Sequence, residues 1–146
     1  MADAKFEDGA EQALSLKAET AEDLAVISAL VQDAVLPATE MRWDRKGRTL
    51  ALLVNRFRWE DLATAEKNAR PYERTRALLV ISDVIHVASQ GIDRTDKDII
   101  LSILSLSWEP AADGAGRVTV TLAGDGAIAA DVECLDLTLK DMTRPY

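Results

Sequence analysis

The stretch LALLVNRFRWE, residues 50–60, is the most informative part of the chain. It begins as an apolar run and ends in alternating aromatic and charged side chains. Successive side chains of a β-strand point to opposite faces of the sheet. The alternation would place three side chains on one face, Asn55, Phe57 and Trp59, and three on the other, Arg56, Arg58 and Glu60. It predicts a long strand over about 48–59.

An amphipathic helix is predicted upstream, over about 20–35. Thr20 and Asp23 fit a capping box, in which the hydroxyl of the first residue and the carboxylate of the fourth accept hydrogen bonds from free amides. Pro37 cannot continue a helix. The apolar residues of the segment gather on one broad side of the helical wheel: Leu24, Ile27, Leu30, Val31, Ala34 and Val35.

Further strands are predicted on both sides of the central stretch, at 14–18, 39–44, 77–88 and 99–108. A turn at Gly124-Asp125-Gly126 joins two runs of strict alternation as an antiparallel hairpin. After Leu135 the alternation changes phase, which predicts either a bulge or a short C-terminal helix.

These elements predict an α+β domain over residues 13–146, preceded by a flexible leader at 1–12. One amphipathic N-terminal helix is expected to pack on a strongly bent antiparallel sheet of five to seven strands. The sheet is expected to curl towards a partial barrel, with a pleckstrin-homology-like or split-barrel topology as a fold-level analogy.

Composition excludes several classes of protein. The chain has 146 residues and a net charge of −8, so it suits one soluble domain and disfavours binding to nucleic acid or to an anionic membrane surface. Cys134 is the single cysteine, which rules out an intrachain disulfide. The apolar runs are far shorter than a membrane span requires. We therefore expect a cytoplasmic protein.

Three segments resemble a family of small bacterial proteins known only as a domain of unknown function. They are DLAVISALVQDAV at 23–35, NRFRWE at 55–60 and DVECL at 131–135. The resemblance implies a single-domain cytoplasmic protein. It carries no activity, cofactor or catalytic residue that could be transferred to this chain.

The residue types that usually perform chemistry are sparse. His86 is predicted to be a core or edge histidine bonded to a backbone carbonyl, and Cys134 a small buried hydrophobe on the inward face of its strand. Together they cannot form a zinc site in a monomer. Asp93, Asp96 and Asp98 are expected to lie in a solvated loop, because basic residues intervene and the last ligand of a calcium loop is missing. No catalytic, cofactor or metal site is predicted.

The best candidate site is built around the central stretch. It comprises Gln32, Asp33, Asn55, Arg56, Arg58, Trp59, Glu60 and Arg76. One interpretation is a network of ion pairs and stacked aromatic rings that fastens the helix to the sheet. The other is a shallow site for an acidic group or a partner's segment, since Trp and Arg are enriched at binding hot spots.

Three functional hypotheses follow from this composition. The leading one is a non-catalytic interaction or accessory module that binds a protein partner or forms a homodimer. The alternative is a small-ligand binding domain with a pocket near Arg56, Arg58 and Trp59. An enzyme would need an acid–base pair such as Asp33 or Glu60 in a cleft.

Overall fold

The computed structural model describes residues 13–61, 73–93 and 95–142. The described residues form ten β-strands and one α-helix, together with short 3-10 turns at Ala38–Glu40, Trp59–Asp61 and Ala112–Gly114. In chain order the elements are β1 Ser15–Ala18, α1 Ala21–Leu30, β2 Val35–Pro37, β3 Met41–Asp44, β4 Thr49–Phe57, β5 Arg74–Ile81, β6 Val84–Gln90, β7 Ile100–Pro110, β8 Gly116–Leu122, β9 Ala127–Val132 and β10 Leu137–Asp141.

Strand β4 follows the predicted alternation closely. Its inward side chains are Leu50, Leu52, Val54 and Arg56, all of which are buried. Its partner β5 places apolar residues opposite the first three in antiparallel register, for example Leu79 opposite Leu52, and it places Thr75 opposite Arg56. The two strands therefore form the middle of the core, because each contributes one wholly buried face.

The sheet is antiparallel throughout and its strand order departs from the chain order. The path runs β1-β10-β5-β4-β2-β7-β8-β9-β6, and β3 pairs with β4 beside that path. The short strand β2 joins the two halves, because Val35 is the register partner of Asn55 in β4 and of Ser102 in β7. The apolar core is continuous across this junction.

Helix α1 begins as predicted. The Thr20 hydroxyl accepts a hydrogen bond from the amide of Asp23 at 3.1 Å, and the Asp23 carboxylate accepts one from the amide of Glu19 at 3.3 Å. The helix ends at Leu30, so the predicted end near residue 35 is wrong. Asp33 adopts a left-handed backbone with a φ of 63°, which turns the chain into β2.

The helix buries a narrow face on the sheet. Leu24 and Ile27 are its buried residues, and they face β7 and β1, whereas Val26 is 55% exposed. Its apolar residues are thus spread around the helix more widely than the predicted amphipathic pattern implies.

The predicted α+β domain with five to seven strands is wrong, because the described chain is a ten-stranded sheet with one helix. The strand predicted over 77–88 is two strands, since Asp83 turns the chain with a φ of 56° between β5 and β6. The short C-terminal helix is also wrong. Leu137 and Leu139 alternate inward as part of β10, between β1 and β5.

The predicted hairpin at Gly124 is confirmed as β8 and β9, which pair from Gly116 to Val132. The prediction for Cys134 is wrong. Strand β9 ends at Val132, and Cys134 lies exposed in the bend that follows. The leader predicted at 1–12 lies outside the described residues.

Candidate functional site

Arg56 is the centre of a buried ionic cluster. All five N–H groups of its guanidinium donate hydrogen bonds. Nε and Nη2 donate to the two carboxylate oxygens of Asp141, at 2.9 and 2.8 Å. Nη1 and Nη2 donate to the two carboxylate oxygens of Glu60, at 2.9 and 2.7 Å, and Nη1 also donates to the Phe57 carbonyl at 2.9 Å. We call Arg56, Glu60 and Asp141 the Arg56 cluster. No donor of this guanidinium is left for a ligand.

The position of the cluster explains its charge states. Arg56 is 0% exposed and Asp141 is 7% exposed. Burial alone would lower the pKa of Arg56, but its hydrogen bonds to Glu60 and Asp141 outweigh burial and raise the pKa above its usual value. Burial likewise opposes ionisation of Glu60, yet its hydrogen bonds to Arg56 prevail and lower its pKa.

The Arg56 cluster links distant parts of the chain. Asp141 lies in β10, and its Oδ2 also accepts the amide of Leu14 at 3.0 Å, just before β1. Glu60 lies in the 3-10 turn after β4. One guanidinium therefore ties β4 to β10 and, through Asp141, to the residue that precedes β1.

Four other predicted site residues meet in two pairs near the end of β4, whereas Asp33 bonds to β7. Trp59 Nε1 donates to the Gln32 carbonyl at 3.0 Å, which connects the turn after β4 to the segment after α1. Asn55 is the register partner of Arg76 in β5. The Asp33 amide donates to the Ile103 carbonyl at 2.8 Å.

The predicted alternation of faces ends with the strand. Because β4 stops at Phe57 and a 3-10 turn begins at Trp59, the two rings meet by the turn, with centroids 5.4 Å apart. Arg74 lies over the Phe57 ring at 3.8 Å. Arg58 forms an ion pair with Glu73 at 2.8 Å, a partner that the sequence did not suggest.

A groove that sequence reasoning missed opens between β3 and β6. We call it the β3–β6 groove. Its apolar lining consists of Ala38, Met41, Trp43, Leu50, Val87, Ile92 and Ile128, and its polar lining of Thr39, Arg45, Ser89, Asp96 and Lys97. The groove encloses about 470 Å³. It adjoins a second hollow that shares Trp43, Arg45 and Val87 with it and also contacts Arg48 and His86.

The two strands that border the groove are sheet edges. Within residues 13–61, 73–93 and 95–142, β3 pairs with β4 alone and β6 with β9 alone. The Val84 amide donates to the Arg48 carbonyl at 2.9 Å, so β6 starts in contact with the β3–β4 hairpin. No strand pairing joins β3 to β6 beyond that bond in the described chain.

Positive charge collects at this groove although the chain is acidic. Residues 41–48, which form β3 and the turn before β4, carry four cations and one carboxylate: Arg42, Arg45, Lys46, Arg48 and Asp44. Arg48 is paired with Glu133 at 2.7 Å. Arg45 and Lys97 have no ion-pair partner among the residues described. A composition average hides such a patch, and only the fold brings Lys97 beside the hairpin.

The remaining candidates for chemistry lie at the surface or in loops. His86 is exposed on the edge strand β6, and the described residues show no hydrogen bond from its ring to the backbone carbonyl that the prediction included. The Cys134 thiol donates to Asp83 Oδ2 at 3.1 Å, and this bond, with burial and nearby carboxylates, raises the pKa of the thiol. Asp93 accepts bonds from the amide and hydroxyl of Thr95.

The described residues contain no group of three or more His, Cys, Asp or Glu side chains that could hold a metal ion. Nor does any helix within them combine the length and the apolar character needed to cross a membrane.

Comparisons with known proteins place the chain in a family. No curated protein and no solved structure matches it. The sequence model of a family described as "Protein of unknown function (DUF2948)" matches residues 14–146, which span all three motifs of the predicted resemblance. The chain therefore belongs to the DUF2948 family.

Proposed function

We propose that this protein is a non-catalytic interaction module that binds a protein partner in the cytoplasm. The observation that carries the proposal is the β3–β6 groove, an apolar hollow bordered by two strands that each lack a second strand partner in the described structure. Sheet edges of this kind are templates for pairing with another chain. Natural proteins usually block such edges unless a partner covers them.

The chemistry of the other residues supports a binding role. The Cys134 thiol is held protonated by Asp83, which disfavours it as a nucleophile. A net charge of −8 disfavours general binding to phosphate backbones. With its single cysteine, the chain is suited to a reducing compartment.

The small-ligand alternative near Arg56, Arg58 and Trp59 has weaker support. A ligand carboxylate would have to displace Glu60 or Asp141 from Arg56, because every N–H of that guanidinium is already donated. Arg58 has an ion-pair partner in Glu73.

Affinity purification of the tagged protein, expressed at native level in its own host, tests the proposal. We expect a protein partner in stoichiometric amount that rebinds when both components are purified. The ligand alternative would be supported instead if no protein partner were found, if native mass spectra showed a retained small molecule, and if that molecule raised the Tm.

A further inference from the structure

We infer that the β3–β6 groove binds an extended segment of the partner as an added β-strand, with apolar side chains in the groove and carboxylates at its rim. This inference rests on the proposed function and names the surface that performs it. Peptide recognition by strand addition uses main-chain hydrogen bonds for affinity and pockets for alternate side chains for specificity.

The first support is the backbone at the groove. Strand β6 spans Val84–Gln90 and pairs along one edge with β9, while β3 spans Met41–Asp44 and pairs along one edge with β4. Each strand has N–H and C=O groups on its other edge. An incoming strand could pair with either edge, because both border the same hollow.

The second support is the apolar surface between those edges. Leu50 and Ile128 form a floor that is already buried, whereas Trp43, Met41 and Val87 are only partly buried and pack against the core. Alternate side chains of an added strand point the same way, so residues i and i+2 of a peptide could cover these three side chains. A volume of about 470 Å³ lies within the usual range for binding pockets.

The third support is charge complementarity. Arg45 and Lys97 lie at the rim without ion-pair partners in the part of the chain that the structure describes, and Asp96 is the carboxylate beside them. The rim is therefore net positive in a chain of charge −8. Potentials at interfaces are usually complementary, so the partner segment should carry aspartate or glutamate beside its apolar residues.

The test uses fluorescein-labelled ten-residue peptides and the full-length protein, with binding measured by fluorescence anisotropy. The probe alternates valine and threonine in its centre and carries Asp-Glu at both ends. A matched peptide carries Lys-Lys at both ends. Two further probes are N-methylated at alternate central residues, one at the odd positions and the other at the even positions.

Strand addition predicts a distinct pattern of binding. The acidic peptide should bind more tightly than the basic one. Of the two N-methylated peptides, one should lose binding and the other should bind nearly as well as the unmethylated probe, because only alternate residues of a paired strand donate hydrogen bonds to their neighbour. The inference would be overturned if both N-methylated peptides lost affinity equally, or if the acidic peptide did not bind at concentrations up to about 1 mM.

Protein variants locate the site. Arg45→Glu should lower the affinity for the acidic peptide roughly fivefold or more and raise the affinity for the basic peptide. Thr39→Trp, at an exposed position on the rim, should fill the groove and block both peptides. Lys140→Glu and Lys140→Trp are the matched controls, since Lys140 is exposed on β10, away from the groove, and neither should change binding.

These variants also separate this inference from the proposed function. A purified partner that binds the wild type and Thr39→Trp equally would leave the interaction module standing and overturn the groove as its site. Light scattering gives the oligomeric state. If the wild type is a homodimer and Thr39→Trp is a monomer, the occupant of the groove is a second copy of the chain, and the inference is overturned.

Discussion

Arg56 shows why a buried charge needs a complete set of partners. Its planar guanidinium offers donors in a fixed fork, so one side chain can satisfy two carboxylates and a carbonyl at once. A lysine ammonium has three donors and cannot reproduce that geometry. Arg56 therefore fastens β4 to β10 and to the turn that follows β4.

Replacement of Arg56 should destabilise the protein strongly. Arg56→Ala would leave Asp141 buried without its counter-charge, so we expect a loss of roughly 3–5 kcal/mol in urea unfolding. Arg117→Ala is the control, because Arg117 pairs with Asp131 at 2.7 Å but is half exposed. That variant should lose no more than about 1 kcal/mol. Similar small losses in both variants would contradict the assignment of Arg56 as a buried fastening.

Glu60 should make stability sensitive to acid. Its pKa is lower in the folded protein than in the unfolded chain, mainly because its hydrogen bonds to Arg56 outweigh its burial. The unfolded state therefore binds the proton more tightly. The contribution of Glu60 is present above the unfolded pKa of about 4.3 and disappears as the pH falls through the folded pKa.

The measurement compares wild type with Glu60→Gln in urea unfolding from neutral pH down to about pH 3. The difference in unfolding free energy should be greatest near neutrality and should shrink in acid. Parallel curves over the whole range would show that Glu60 is not the group responsible.

Cys134 should react slowly although it is exposed. Its hydrogen bond to Asp83 raises the pKa of the thiol, and the thiolate is the reactive form. Asp83→Asn should speed alkylation by iodoacetamide at about pH 8, since the pKa falls back towards the usual value near 8.5. Asparagine tolerates the left-handed backbone at this position, where φ is 56°. Asp125→Asn, at another left-handed aspartate, should leave the rate unchanged, and an equal acceleration there would contradict the role of Asp83.

At the scale of elements, α1 is held by its cap and by a small buried face. It has ten residues, and isolated helices of that length are marginal in water. Tertiary contacts of Leu24 and Ile27 with the sheet must therefore supply most of its stability. The Thr20 cap adds to this by satisfying a free amide.

The cap can be tested by two substitutions at one position. Thr20→Ala removes the acceptor for the Asp23 amide and should cost about 1 kcal/mol in urea unfolding. Thr20→Ser keeps a hydroxyl in place and should cost much less. Equal losses would mean that the hydrogen bond contributes nothing and that the methyl group of Thr20 matters instead.

At the scale of the molecule, β2 decides whether the sheet behaves as one unit. It pairs with β4 on one side and β7 on the other, so the half that contains β4, β5 and β10 is joined to the half that contains β7, β8 and β9. The core crosses this junction through Leu36 and Ile103, both buried. We therefore expect the described sheet to unfold cooperatively.

Single-tryptophan variants test this cooperativity. Trp43→Phe with Trp108→Phe retains Trp59 beside β4, and Trp43→Phe with Trp59→Phe retains Trp108 in β7. In each variant the urea midpoint from fluorescence should equal the midpoint from far-UV circular dichroism. Midpoints that separate in either variant would show that the halves unfold independently.

The sequence alone determined those features that depend on near neighbours. The alternation in β4, the cap at Thr20 and the hairpin at Gly124 all follow from backbone periodicity or from contacts over a few residues. The resemblance to a family of unknown function was also stated from the sequence, and the match over residues 14–146 confirms membership of such a family.

Tertiary structure alone decided the strand count, the partners of Arg56 and the groove. Strand β2 has three residues, too few for a distinct period, and pairing with β4 and β7 makes it a strand. Asp141 is 85 positions from Arg56, and the fold brings β3 and β6 together at the groove. Strand order and register arise from burying the apolar surface of the whole chain, so the residues that share a site are chosen by long-range packing and not by local pattern.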